Sequence, residues 1–172
     1  MDKILPGLAV LSIIVVAFAL VAVGWRGRLK RQSDVESIAS VPAGLSPATV
    51  VLDGQYVATT TAGDWLDRIA VRGLGIRTNA EASVHAEGIL FDREGAGPLF
   101  IPRTALSGSR KDSGMAGKFV EKDGLVVVTW TLGSRELDTG FRTRRAADKQ
   151  PFLQALQELI SAAPQADADS GK

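Results

Sequence analysis

The sequence predicts a mainly β domain, a partly open barrel or sandwich of about seven short strands capped by one C-terminal α-helix and preceded by a single transmembrane helix. Three observations predict it. A charge-free run fills residues 4 to 25, β-type runs separated by turn signals follow from residue 50, and one amphipathic helical pattern occupies residues 148 to 163.

The first run reads "ILPGLAVLSIIVVAFALVAVGW", twenty-two residues with Ser12 as the only polar side chain. At ~1.5 Å per residue such a helix measures about 33 Å, enough to cross a hydrocarbon core of roughly 30 Å. A cleaved signal peptide would have a shorter apolar core ending in small residues, and a buried soluble helix would carry a polar stripe over this length. The flanks set the orientation. Lys3 alone precedes the run, whereas Arg26, Arg28, Lys30 and Arg31 follow it within "GWRGRLKRQSD". Basic flanks stay in the cytoplasm, so the expected topology is a single-pass protein of the plasma membrane with its N-terminus outside and everything after residue 31 inside. The same cations can touch anionic headgroups, at about 1 kcal/mol each. The expected organisation is an anchor at 1–26, a basic flank and Ser/Ala/Pro/Gly tether at 27–47, a β domain at 48–163 and a disordered polar tail at 164–172.

Composition narrows the function classes. A chain of 172 residues, 45% of them apolar, holds one modest domain. Twenty basic against nineteen acidic residues leave no field suited to nucleic acid. There is no cysteine, and His85 is the single histidine. Disulfides, thiolate metal sites and any arrangement needing two imidazoles are excluded. No catalytic, cofactor-binding or metal-ligating residue is assigned, and no cofactor is expected.

Within the domain, "QYVATTT" (55 to 61) is β-branched and aromatic, and "ASVHAEGILFDREG" (82 to 95) reads as two strands meeting near Gly88. "GPLFIP" (97 to 102) is a short strand closed by prolines. "GLVVVTWTLG" (124 to 133) has an apolar, β-branched centre that fits burial on both faces. "SRELDTGFRTR" follows through a "GS" turn as its partner. In "DKQPFLQALQELISAA" (148 to 163), Asp148 is a candidate N-cap and Pro151 falls in the first turn. Phe152, Leu153, Leu156, Leu159 and Ile160 share one face, which has to be buried against an open end of the β structure.

A partly open barrel plugged by one terminal helix is the plan of the pleckstrin-homology-like (PH-like) fold. The stretches "YVATTTAGDWLDRIAVRGLG", "LFIPRTAL", "GLVVVTW" and "LDTGFRTR" resemble a family of small actinobacterial proteins with one N-terminal span and a cytoplasmic bacterial PH-like domain. Its members are often labelled export proteins or transporters and tend to be encoded among pyrimidine biosynthesis genes. The resemblance implies fold and topology and carries no ligand or functional residue. A single span without intramembrane charge offers no translocation path, so transport by this chain alone is not expected.

Three clusters are candidate sites. Asp64, Trp65, Asp67, Arg68 and Arg72 in "AGDWLDRIAVRGLGIR" (62 to 77) form either a recognition surface on a connection or a turn of helix in which Trp65, Leu66 and Ile69 pack. Arg103, Arg110, Lys111 and Lys118 in "PRTALSGSRKDSGMAGK" (102 to 118) read as a mobile basic loop, able to hold a phosphate or lipid headgroup or simply solvated. Arg142 and Arg144 in "GFRTRR" share one strand face, with Phe141 inward, as an anion grip or a charged sheet edge.

The expected function is a membrane-anchored, non-enzymatic interaction module that holds an unidentified protein partner at the cytoplasmic face; the bilayer itself is engaged through residues 4–25. Recognition of an anionic headgroup or phosphate by the basic loop is one alternative, and service as an accessory subunit of a larger membrane complex is another. With four cations on the flank, the domain at 48–163 is left with fourteen basic and fourteen acidic residues and no net charge to draw it to an anionic surface, which disfavours the lipid alternative.

Overall fold

The computed structural model describes residues 4–31 and 36–162. Two compact units divide at Asp34/Val35.

The first unit is one helix, α1 (Ile4–Arg31), which runs on through the basic flank. Leu8 and the apolar side chains from Val10 to Val23 are exposed, and Ser12 satisfies its hydroxyl by donating to the Leu8 carbonyl at 2.8 Å. Among the described residues, no helix is long and apolar enough to cross a membrane. Arg26 is exposed, and Arg28, Lys30 and Arg31 lie in the last turns of the same helix.

The second unit is an antiparallel sheet with one terminal helix. Its strands are β1 (Val50–Thr61), β2 (Asp64–Arg68), β3 (Thr78–His85), β4 (Gly88–Arg93), β5 (Leu99–Pro102), β6 (Leu106–Asp112), β7 (Gly114–Met115), β8 (Lys118–Phe119), β9 (Leu125–Leu132) and β10 (Arg135–Thr143), followed by α2 (Lys149–Ser161). Seven of them follow the order β5-β4-β3-β1-β10-β9-β6, with β2 paired to β1 off this path and β7–β8 a separate hairpin. The anticipated β3–β4 hairpin closes at Gly88, and β9 pairs with β10 across Gly133. The cations of "GFRTRR" do not line a sheet edge: β10 lies between β1 and β9, and the edges are β5 and β6.

Side-chain alternation gives the sheet two apolar faces. Val126, Val128, Trp130, Phe141 and Tyr56 point into the main core. On the opposite face Leu125 and Val127 join Val57, Ala58 and Met115 in a smaller core. This explains why the centre of β9 is apolar without a break, since the β7–β8 hairpin covers what would otherwise be the wet face. Gly140 permits that cover, because a Cβ there would collide with the Met115 sulfur.

The helix α2 closes the main core with Phe152, Leu153, Leu156 and Leu159, packing mostly on β6 and touching β1. Asp148 stands at its N-cap position without a side-chain capping bond. Its carboxylate instead accepts from Arg145 Nε at 2.9 Å, and a 3₁₀ turn (Ala146–Asp148) leads the chain into the helix. Residues 36–47, part of the segment read as a tether, contact the domain directly. Ile38 packs against the main core, and the Ser46 hydroxyl donates to Glu87 at 2.8 Å while its carbonyl lies 2.7 Å from His85 Nδ1. The Ser46 hydroxyl and amide hold the Glu87 carboxyl below its ordinary range. The tail at 164–172 lies outside the described residues.

A hydrogen-bonded chain threads the core. Tyr56 Oη lies 2.6 Å from Thr59 Oγ1, which lies 2.7 Å from Thr139 Oγ1, and Trp130 Nε1 donates to that same hydroxyl at 2.8 Å. Tyr56 also donates to the Leu74 carbonyl, and the Arg93 guanidinium sits 4.8 Å from its ring centroid. Burial outweighs these hydrogen bonds and the Arg93 charge, and pushes the phenol up to about 12. A raised pKa adds stability that is complete below the unfolded value and lost as pH rises through the folded one. Stability should therefore fall between pH 10.0 and about 12. Tyr56 is the sole tyrosine, so phenolate absorbance reads it alone. The expected result is ionisation that begins only with unfolding; a midpoint near 10 in the folded chain would refute the buried network.

Candidate functional site

The β7–β8 hairpin and β2 together form a flap over the outer face of the sheet. Ala116 and Gly117 connect β7 to β8, and both have positive φ (54° and 77°), as a two-residue type I′ turn requires. The Ala116 amide donates to the Trp65 carbonyl at 2.7 Å, and Arg68 Nη2 donates to the Ala116 carbonyl at 3.4 Å. These bonds hold residues 64–68 as a strand antiparallel to the end of β1.

Beneath the flap lies a cleft of about 380 Å3 whose lining includes Thr60, Trp65, Arg110, Met115, Phe119 and Asp138. Its polar wall follows from strand register. Thr59, Thr139 and Trp130 turn into the core, so Thr60, Asp138 and Thr129 turn outward, and the ladders set Thr60 opposite Asp138 and Asp138 opposite Thr129. From β6, Arg110 reaches across and forks onto Asp138, with Nη1–Oδ1 at 3.1 Å and Nη2–Oδ2 at 2.8 Å. Thr129 adds a third bond to the carboxylate at 2.7 Å, and the Gly63 amide points at it from 3.4 Å. Burial alone would raise the Asp138 pKa; the Arg110 and Thr129 hydrogen bonds and the Arg110 charge outweigh it and hold it below 3.8. In return, the bond to Asp138 raises Arg110. Asp112 sits 3.6 Å from Arg110 Nε. The Thr60 hydroxyl is buried here without a hydrogen-bond partner.

The rim is apolar and wet. Trp65 is 39%, Leu66 60% and Phe119 78% exposed, and the two aromatic rings lie 5.3 Å apart at 51°. In the described domain these are the bulkiest exposed side chains that stand side by side.

The structure distributes the sequence candidates unevenly. Residues 64–68 form a strand, so the helical-turn reading is corrected: Ile69 is buried, but Trp65 and Leu66 face solvent. Asp64 Oδ1 accepts from the Leu66 and Asp67 amides, and Asp67 accepts from Thr61 Oγ1 at 2.7 Å. Arg72 lies beyond the strand in a turn, with φ 57°. The basic loop is corrected as well. Its centre is β6, and consecutive strand residues face opposite ways. Arg110 therefore turns to the cleft, while Lys111 turns toward α2 and donates to Gln150 Oε1 at 2.8 Å. Arg103 opens a 3₁₀ turn (Arg103–Ala105) with its Nε buried and unpartnered, and Lys118 starts β8. Arg110 and Lys111 therefore do not converge on one ligand. Arg142 and Arg144 do share a face, lining with Lys149 a second cleft of about 350 Å3 in which Arg142 pairs with Glu121 at 2.9 Å. Among the described residues, no group of three or more His, Cys, Asp or Glu could hold a metal ion.

Sequence reasoning missed Thr60, Met115, Phe119 and Asp138. A partial signal existed in the acid set within the apolar strand "RELDTGF", although its arginine is supplied by a distant strand.

Comparison with solved structures finds similar chains at low identity. A chain of the 8S snRNP assembly intermediate matches with TM-score 0.53 and 7% identity, over 79% of this chain and 98% of that one. The C-terminal phosphotyrosine interaction domain of APBB2 from mouse matches with TM-score 0.44 and 13% identity, over 77% and 99%. Vav1 inhibited by an allosteric inhibitor gives TM-score 0.42 and 18% identity, over 82% of this chain and 34% of that one. No curated protein matches the sequence. Residues 35–157 match the bacterial PH domain-like family, a span that takes in the seven-stranded path and most of α2, and the chain belongs to that family.

Proposed function

We propose that this chain is a membrane-anchored, non-enzymatic interaction module that holds a protein partner at the cytoplasmic face of the plasma membrane, and that the partner docks on the flap made by β2 and β7–β8. The observation that carries the reading is the exposed set Trp65, Leu66 and Phe119 beside a cleft with a hydrogen-bonded charged wall. Aromatic anchors next to arginine are the composition of binding hot spots. The PH-like fold is a general interaction-module fold, generally non-catalytic, which fits this use.

The anchor reading is supported by the charge-free run at 4–25 and by the one-to-four imbalance of Lys and Arg around it. Tethering raises the effective concentration of a weak binder near the bilayer. Headgroup recognition by residues 102–118 draws less support, because Arg110 is engaged by Asp138 and Lys111 faces the other way.

Photocrosslinking in intact cells tests the proposal. A photoreactive residue at Phe119 should capture a protein in the membrane fraction, and one at exposed Val51 should not. A reporter fused after Lys172 should be cytoplasmic. Capture of lipid alone, equal capture at both positions, or an external reporter would overturn the reading.

A further inference from the structure

We propose that the cleft beneath Trp65 and Phe119 takes the cationic side chain of a lysine or arginine carried by the protein partner, an inference that rests on the docking face proposed above.

Charge is the first argument. Two carboxylates, Asp112 and Asp138, face one guanidinium in the lining. That guanidinium is committed: Nη1 and Nη2 fork onto Asp138, Nη1 also reaches Thr129 Oγ1 at 3.1 Å, and Nε faces Asp112. An anionic guest would have to break this fork, whereas a cationic guest meets the acidic excess without disturbing it.

The Thr60 hydroxyl points the same way. Fully buried on a wall of the cleft, it has no hydrogen-bond partner. Unpaired buried polar atoms are uncommon in folded proteins and call for a reason. An ammonium or guanidinium N–H entering the cleft would donate to it. Neighbouring Thr59 and Thr129 are both hydrogen-bonded, and of the buried atoms left unpaired, which include Arg103 Nε and Ser109 Oγ, Thr60 Oγ1 is the one on a residue that lines the cleft.

The rim suits the same guest. Trp65 and Phe119, with ring centroids 5.3 Å apart, offer two π-faces to a cation. Met115 in the lining suits the methylene stem of a long basic side chain, which buries its carbons while its charge is held at the tip. Arg68, the nearby cation of β2, is turned to the Ala116 carbonyl and does not line the cleft.

The test is nuclear magnetic resonance of the full chain in maltoside micelles, titrated with blocked Gly-Lys-Gly and Gly-Arg-Gly tripeptides. Gly-norleucine-Gly, inorganic phosphate and choline chloride serve as comparison probes. The two cationic peptides should produce saturable shifts of the Thr60 and Gly63 amides and the Trp65 indole N–H, and the norleucine peptide and phosphate none. Trp65→Ala and Thr60→Val should each weaken binding about tenfold. Thr60→Val should also melt no lower than the wild type, since it removes an unpaired hydroxyl, and this separates lost binding from lost folding. Silence toward both cationic peptides, equal shifts from norleucine or phosphate, choline binding with the peptides silent, or Thr60→Val binding at full strength would each overturn the inference. If Phe119 still captures a protein while the peptides are silent, the docking face stands and the cationic anchor falls.

Discussion

Replacing Leu156 by Asp should abolish cooperative unfolding of the chain. Leu156 and Phe152 are fully buried on α2, and Phe152 meets Phe141 of β10 at 5.7 Å between ring centroids. The helix is the lid of the main core, and it would be marginal alone in water. Losing a buried leucine costs about 2–5 kcal/mol, and the new carboxylate adds the penalty of an unpaired buried charge. Against a typical total of roughly 5–15 kcal/mol, little or nothing remains. Gln157→Asp, one position on and exposed, should stay within about 0.5 kcal/mol of the parent. Denaturant titration followed through the buried Trp130 reads both. A sigmoidal, wild-type-like transition for Leu156→Asp would mean that α2 does not seal the core.

What could be read in advance, and what could not, follows the range of the interactions involved. The α2 pattern is local: Phe152, Leu156 and Leu159 share a face because of helical periodicity alone, and they are buried. The same holds for β9, whose unbroken apolar centre implied two covered faces, and for the hairpin at Gly88. The "DWLDR" segment lacks alternation, and it is a strand because β1 and the Ala116 amide pair with it, which are long-range facts. The hairpin carrying Phe119 was hidden because Ala116, rather than Asn or Asp, takes the first positive-φ position of its turn. The apparent basic loop was a cluster only in sequence; once residues 106–112 pair with β9, Arg110 and Lys111 part to opposite faces. Asp138 and Arg110 are far apart along the chain, and their meeting depends on a register that no local pattern specifies.

That meeting has a consequence for stability. Arg110→Met should destabilise the domain by about 2–4 kcal/mol at neutral pH, because it strands a carboxylate whose side chain is only 5% exposed. Thr129 and the distant Gly63 amide would be its remaining donors. Arg110 itself is 45% exposed, so water replaces part of what is lost and the lower end of the range is expected. The pH dependence gives the sharper readout. In the wild type the Asp138 pKa is depressed below 3.8. Its contribution is therefore present above 3.8 and lost as pH falls through the folded value. Without Arg110, burial becomes the dominant influence and the carboxyl takes up its proton at higher pH. The variant should fall furthest below the wild type near neutrality, and the gap should narrow on acidification as both carboxyls become neutral. Denaturant midpoints measured from neutral pH down to about pH 3 would show the two curves converging. Parallel curves would mean that Arg110 contributes by packing alone, and that Asp138 is stabilised by other donors.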